Sequence, residues 1–290
     1  MPIDQLYALG PEGTYSDYAA RRFNEFLFRT ESTAAAITYT RSIPEALELA
    51  SQNPNARTIA PIENSETGTV VATQDHLAKY DLIIEWELNL RIRFTLLADV
   101  PLGEVARLYV HPVALEQCNA FVSKRLPSAE TAFTRSNVDS AVRWAAAAPE
   151  EKAASIVPSD YAPARAAPIQ VSNVQNDERN TTRFVVVRAG GPWKGDFSRT
   201  KTSLLIEPAA DRPGLLFEIL SVFKKYDINL CRIESRPART HPWAYVFYLD
   251  ITNNAATEDA LRELAAGQWK ITLLGTFDAL PDGGALLDKM

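Results

Sequence analysis

The chain is poor in the residues that announce most kinds of chemistry. Its 290 residues include 2 cysteines, Cys118 and Cys231, far apart and without a Cys-x-x-Cys partner. This excludes a disulfide framework and a cysteine-built zinc site. It leaves two free thiols suited to a reducing cytoplasm, or two small buried hydrophobes. The 3 histidines, His76, His111 and His241, are isolated, so no ligand spacing points to a metal. No Gly-x-Ser-x-Gly elbow offers a Ser-His-Asp triad. GPEG, residues 10–13, is too short for a phosphate loop and lacks its lysine. With a net charge of −6, a pI of about 5.3 and no Lys/Arg run, a nucleic-acid or membrane surface is not expected. No apolar run approaches the ~20 residues of a membrane span. The start, MPIDQLYALGPEG, lacks the basic and apolar regions of a signal peptide. No internal repeat and no low-complexity segment is visible.

What remains is an alternation of strand and helix signals. The apolar run Leu6–Leu9 ends in Gly10-Pro11, and Ser16 can cap a helix carrying Ala19, Phe23 and Phe26 at helical spacing. SIPE, with Ser42 and Glu45 three residues apart, reads as a capping box. Strands are expected over Thr58–Ile62, over the alternation Ile92, Phe94, Leu96, and over Arg107–Val110. Helices are expected over Val70–Tyr80, from His111-Pro112 through Leu115, Cys118, Val122 and Leu126, and over Asn137–Ala148. Short strands at Ala153–Val157 and Ile169–Val171 enclose a small helix. This order predicts an α/β architecture with mostly parallel sheets. The Gly/Pro-rich stretch Ala189–Asp196 reads as a linker. Beyond it, strands and helices follow the order βαββαβ, the ferredoxin-like arrangement. The expected division is 1–189, a linker 190–199, and 200–280.

Three polar clusters sit at strand ends: GPEGTYS (Gly10–Ser16), PIENS (Pro61–Ser65) and NTTRF (Asn180–Phe184). Each alone could be a helix cap or a strand start. Together they suggest one anionic-ligand cleft, because ligands of open α/β sheets collect at the carboxyl ends of strands. Hydroxyls, amides, carboxylate and Arg without a cofactor suit a dicarboxylate substrate whose own structure supplies the driving force.

These motifs, with HPVALEQC further on, resemble the catalytic domain of the prephenate dehydratase family. RPGLLFEIL and IESRPAR resemble the ACT domain that follows it. The resemblance spans roughly residues 5–280. It implies a two-lobed, periplasmic-binding-protein-like catalytic domain over 1–189 and an ACT regulatory domain over 200–280. It also implies conversion of prephenate to phenylpyruvate with loss of water and carbon dioxide, without cofactor or metal, in the cytoplasm. By resemblance, Thr182 donates to the departing hydroxyl, while Arg183 either holds a substrate carboxylate or faces a structural Glu. Asn64 and Gln117 complete the catalytic set. Thr14, Tyr15, Ser16, Glu63, Ser65 and Phe184 are the expected substrate contacts, with Glu63 orienting Arg183 or a backbone N–H. An L-phenylalanine effector is expected at Pro213, Gly214, Leu215, Leu216, Glu234, Ser235, Arg236 and Pro237, in a homodimer or homotetramer. The chain departs from the family pattern at Val110, Val113, Asn137 and Glu66-Thr67. Arogenate dehydration and non-aromatising decarboxylation of prephenate are therefore the neighbouring alternatives. An amino-acid-sensing binding protein is the alternative from another class.

Overall fold

In the computed structural model, which describes residues 3–191, 195–210, 212–238, 245–267 and 269–281, the chain builds two lobes and a third α/β unit. The first lobe grows around β1 (Gln5–Leu9), whose Leu6 and Ala8 are fully buried. There follow α1 (Tyr15–Glu31), β2 (Ala36–Thr40), α2 (Ile43–Gln52) and β3 (Ala56–Asn64). A short β4 (Gly68–Thr69), α3 (Val71–Lys79) and β5 (Leu82–Arg91) complete this part of the lobe. The chain crosses at residues 92–93 into the second lobe, which begins with β6 (Phe94–Ala98), β7 (Arg107–Val110), α4 (Pro112–Gln117) and α5 (Asn119–Arg125). It continues with β8 (Glu130–Phe133), α6 (Asn137–Ala146), β9 (Ala153–Pro158) and β10 (Ile169–Ser172), and returns as β11 (Thr181–Ala189).

The lobes repeat one plan. In the first, β2-β1-β3 are parallel and β11 runs antiparallel beside β3. In the second, β8-β7-β9 are parallel and β6 runs antiparallel beside β9. The sheets are therefore mixed, where mostly parallel ones were expected. The reversed strands are those on which the chain enters a lobe from its neighbour. Each lobe has its own core, one built on Leu6, Phe23 and Phe184, the other on Phe94, Leu108 and Ile156. Burying each such side chain contributes about 1.5–3 kcal/mol. Tyr15 packs against both cores.

Several local expectations change. Thr14, not Ser16, caps α1, its hydroxyl accepting from Asp17 N at 3.4 Å. Ser16 is buried inside the first turn. β2, β5 and β8 escaped the sequence reading. The helix after His111 breaks at Cys118 into α4 and α5, and residues 159–168 form no helix.

The third unit comprises β12 (Lys201–Pro208), α7 (Leu215–Lys225), β13 (Leu230–Pro237), β14 (Tyr245–Thr252), α8 (Thr257–Ala265) and β15 (Trp269–Ala279). This is the expected βαββαβ order. The sequence pattern predicts a strand over Trp243–Ile251, which is β14 from Tyr245 onward; its first two residues and part of the Gly/Pro stretch lie outside the described residues. The sheet does not stand apart. β15 pairs in parallel with β5, at Gly275↔Ile84 and Ala279↔Glu87, and a 10-stranded sheet runs from β13 through to β2. Gly275 permits that junction, because a Cβ there would stand 2.3 Å from Ile84 O.

Candidate functional site

A cleft of about 640 Å³ separates the lobes. Its floor is the end of β3 beside the start of β11, where Asn64 and Thr182 are register partners. Side chains alternate along a strand, so Thr182 and Phe184 line the cleft while Arg183 points behind the sheet.

Asn64 is the hub of the floor. Its Oδ1 accepts from the backbone N–H of Glu66 and of Thr67, both at 3.0 Å, which fixes the orientation of the amide. Its Nδ2 must then face the other way, and it donates to Thr182 Oγ1 at 2.9 Å and to Asn180 Oδ1 at 2.7 Å. The Thr182 oxygen is an acceptor in that bond, so its own proton is left to point into the cleft. Gln117 reaches from α4 of the other lobe, donating to Asn64 Oδ1 at 3.4 Å. Asn180 Nδ2 continues the chain to Glu66 Oε2 at 2.8 Å. Burial holds the Glu66 carboxyl above its usual pKa, aided by the charges of Asp177 and Glu116.

Thr14, Tyr15 and Ser16 line the wall formed by the start of α1. The Thr14 hydroxyl is occupied, donating to Pro11 O at 2.9 Å. The Tyr15 hydroxyl donates to Arg93 O and accepts from Arg93 N, tying α1 to the crossover between lobes. Burial keeps that phenol neutral, well above its usual pKa. Tyr15 thus offers the cleft a ring and not a hydroxyl.

Three expected contacts lie elsewhere. Ser65 is outside the lining, its Oγ accepting from Thr181 N at 3.0 Å and its N–H donating to Thr181 O at 2.9 Å. Glu63 faces Arg183 at 3.4 Å and Arg232 at 3.8 Å. For Arg183 the structure corrects the first of its two expected roles, holding a substrate carboxylate, and shows the second, facing acidic side chains. Its guanidinium bonds Asp250 of β14 and stands 3.3 Å from Glu87, an ion pair off the hydrogen-bond direction. The side chains of Arg183, Asp250 and Glu87 are 12%, 0% and 2% exposed. Burial opposes the Arg183 charge, but Asp250, Glu87 and Glu63 outweigh it and raise its pKa. A fork filled by three carboxylates behind the sheet is not positioned to take a carboxylate in the cleft.

The cleft holds residues that the sequence reading passed over. Arg41 and Ser42 reach it from the turn before α2, and Arg135 and Ser136 from the turn before α6. Asn137 and His111 also line it, and burial lowers the His111 pKa, which favours the neutral ring. The usable signal was the one applied to the three polar clusters, namely polar residues between a strand end and a helix.

The expected effector residues divide. Gly214 caps α7 at φ +83, a left-handed conformation suited to glycine, and Leu215 turns into the core. Glu234 Oε2 accepts from Thr69 Oγ1 at 3.0 Å, and Arg236 stands 3.8 Å from Asp75, so both lean on the first lobe. Ser235 and Pro237 are exposed. Among the described residues no group of three or more His, Cys, Asp or Glu could hold a metal, and no helix is long and apolar enough to cross a membrane.

The prephenate dehydratase profile matches residues 6–191 and the ACT domain profile residues 204–266. A prephenate dehydratase of Methanocaldococcus jannaschii is 31% identical over 274 residues, covering 94% of this chain and 97% of its own. The crystal structure of the prephenate dehydratase of Staphylococcus aureus superposes with a TM-score of 0.76 at 26% identity, over 94% of this chain and 99% of that one. That of Arthrobacter aurescens, solved in complex with L-Phe, gives 0.75 at 28% identity, over 94% and 90%.

Proposed function

The chain belongs to the prephenate dehydratase family, with a C-terminal ACT domain, and from that premise we propose that it converts prephenate to phenylpyruvate. The observation that carries this reading is the Thr182 hydroxyl, held as an acceptor by Asn64 with its proton free for the cleft. Prephenate bears two carboxylates and a tertiary ring hydroxyl. The bond from the ring to its carboxylate breaks, and its electron pair moves through the ring. The pair expels hydroxide from the far carbon, so carbon dioxide leaves and an aromatic ring forms. The reaction is strongly downhill, and the enzyme's task is to orient the substrate and stabilise the departing oxygen. Thr182 does this by hydrogen bonding, since a threonine hydroxyl is a poor acid. Gln117 brings the second lobe onto the same floor, and Phe184 supplies an apolar face beside the ring.

We further read the ACT domain as a feedback sensor for L-phenylalanine. A relative crystallised with that amino acid and the open left-handed turn at Gly214 support this reading. β13 ends the sheet order, and the exposed Ile233 and Phe217 lie on this domain. An edge of this kind suits pairing between copies, as a homodimer or homotetramer. Free Cys118 and Cys231 fit a cytoplasmic enzyme. The test is direct: purified protein is mixed with prephenate, and the ultraviolet absorbance of phenylpyruvate is read in alkali. No signal above the uncatalysed rate would sink the activity. A full signal that millimolar L-phenylalanine leaves unchanged would sink the sensor.

A further inference from the structure

With Arg183 turned away, the two carboxylates of the substrate need other partners. Among the described residues lining the cleft, the arginines are Arg41 and Arg135, no lysine is present, and none is Asp or Glu. Arg41 stands in the first lobe between β2 and α2, and Arg135 in the second between β8 and α6. These are equivalent places in the repeated plan. The local sequences match as well: Thr40-Arg41-Ser42-Ile43-Pro44-Glu45 and Thr134-Arg135-Ser136-Asn137-Val138-Asp139.

The hydrogen bonds repeat atom for atom. Thr40 Oγ1 donates to Ser42 O at 3.0 Å, and Thr134 Oγ1 to Ser136 O at 3.1 Å. The Arg41 N–H donates to Glu45 Oε2 at 2.8 Å, and the Arg135 N–H to Asp139 Oδ2 at 2.9 Å. Ser42 Oγ accepts from Glu45 N at 3.3 Å, and Ser136 Oγ from Asp139 N at 3.0 Å. The turns are thus locked, while the guanidiniums are left available. Arg41 is 93% exposed, with one 3.4 Å contact to Glu45. The Arg135 side chain makes no ion pair among the described residues.

We propose that Arg41 and Arg135 form a cross-cleft pair that binds the two carboxylates of the substrate and restricts the site to dianions. The inference rests on the proposed dehydratase reading and names its specificity residues. In prephenate both carboxylates belong to substituents of one ring carbon, and the hydroxyl stands on the opposite carbon. A substrate with its carboxylates at the two rim arginines would direct its hydroxyl toward Thr182 on the floor. Each guanidinium can meet a carboxylate with two parallel hydrogen bonds. Because each lobe supplies one cation, the dianion also draws the lobes together. Arogenate keeps both carboxylates but carries an ammonium where prephenate has its keto oxygen, and that cation would find two arginines and no carboxylate in the lining, which disfavours arogenate.

The test uses Arg41→Gln, Arg135→Gln and the double variant of the full chain. The probe is 1-(carboxymethyl)cyclohexane-1-carboxylate, a saturated diacid with both carboxylates at one carbon. It is compared with cyclohexanecarboxylate by calorimetry at low salt. Each single variant is expected to weaken diacid binding about tenfold or more, the worth of a lost charged hydrogen bond. Monoacid binding should change much less, and Lys at either position should restore part of the loss. KM for prephenate should rise in parallel, with kcat within a few-fold. Diacid binding within twofold of wild type in both single variants overturns the inference, as does a wild type that does not prefer diacid to monoacid. If the wild type turns over prephenate while KM is unmoved in the variants, the inference fails and the dehydratase reading stands. If the wild type binds the diacid through both arginines without turning over prephenate, the inference stands and the dehydratase reading fails.

Discussion

Arg183 and Asp250 are hydrogen-bonded across the boundary between the first lobe and the third unit. The residue next to the candidate catalytic hydroxyl is therefore anchored in the ACT domain. Asp250→Ala would leave a buried guanidinium short of a partner, which costs about 3–5 kcal/mol. Replacing both residues by apolar ones of similar volume should cost far less. Urea denaturation of the two variants measures the difference. Arg183→Lys should likewise lower stability and kcat while leaving KM within a few-fold, since its fork does not face the cleft.

Thr182→Ala should lower kcat on the order of 100-fold or more while KM and melting temperature barely move. A variant within a few-fold of wild type would return Thr182 to a structural role.

Asn64→Asp separates the hydroxyl from its orientation. The isosteric carboxylate still accepts from the N–H groups of Glu66 and Thr67 but has nothing to donate to Thr182. The Thr182 proton then turns toward residue 64 and is withdrawn from the substrate. A fall in kcat on the order of that in Thr182→Ala is expected, with Thr182 still present. Steady-state kinetics beside a circular-dichroism melt check it.

Glu66 gives a pH signature. Its folded pKa is raised, so the folded chain holds a proton that the unfolded chain releases from about pH 4.3 upward. Stability is lost as pH rises through the window between those values, and the full cost is present above it. Glu66→Gln should raise the melting temperature slightly at pH 7, and the gain should vanish below about pH 4. Solvent around this exposed residue keeps the effect small. An equal gain at both pH values would assign it to something other than charge.

Gly275→Ala should be poorly tolerated. Its methyl would stand 2.3 Å from Ile84 O where β15 meets β5. Parting the strands to admit it should cost about 1–3 kcal/mol, seen as a lower melting temperature.

The legible parts of the sequence were those with local signals. Helix and strand alternation, the Ser42 cap and the βαββαβ order all rest on residues a few positions apart. β2 and β8 carry no such signal, being outer strands with exposed side chains. Missing them hid the matching turns that follow, and with them Arg41 and Arg135. The sequence reading brought Asn64, Thr182 and Phe184 together because their motifs lie at strand ends, whereas Gln117, on a helix, joined them through the family resemblance alone. It left Arg183 between the cleft and a structural Glu, because adjacency in sequence does not say which face of the strand meets the ligand. The joining of β15 to β5 pairs Ile84 with Gly275 and has no local trace at all.

That joining also sets an order of events during synthesis. β5 lies between β11 and β15, and both come later in the chain. At about 5–20 residues per second, the ribosome releases β5 seconds before either neighbour exists. Until then its two edges are open to any other strand. The second lobe, contiguous from β6 to β10, can close on itself in the meantime. A nascent chain stalled after the second lobe would thus carry one finished lobe and one sticky, half-paired sheet, a species that chaperones would be expected to hold.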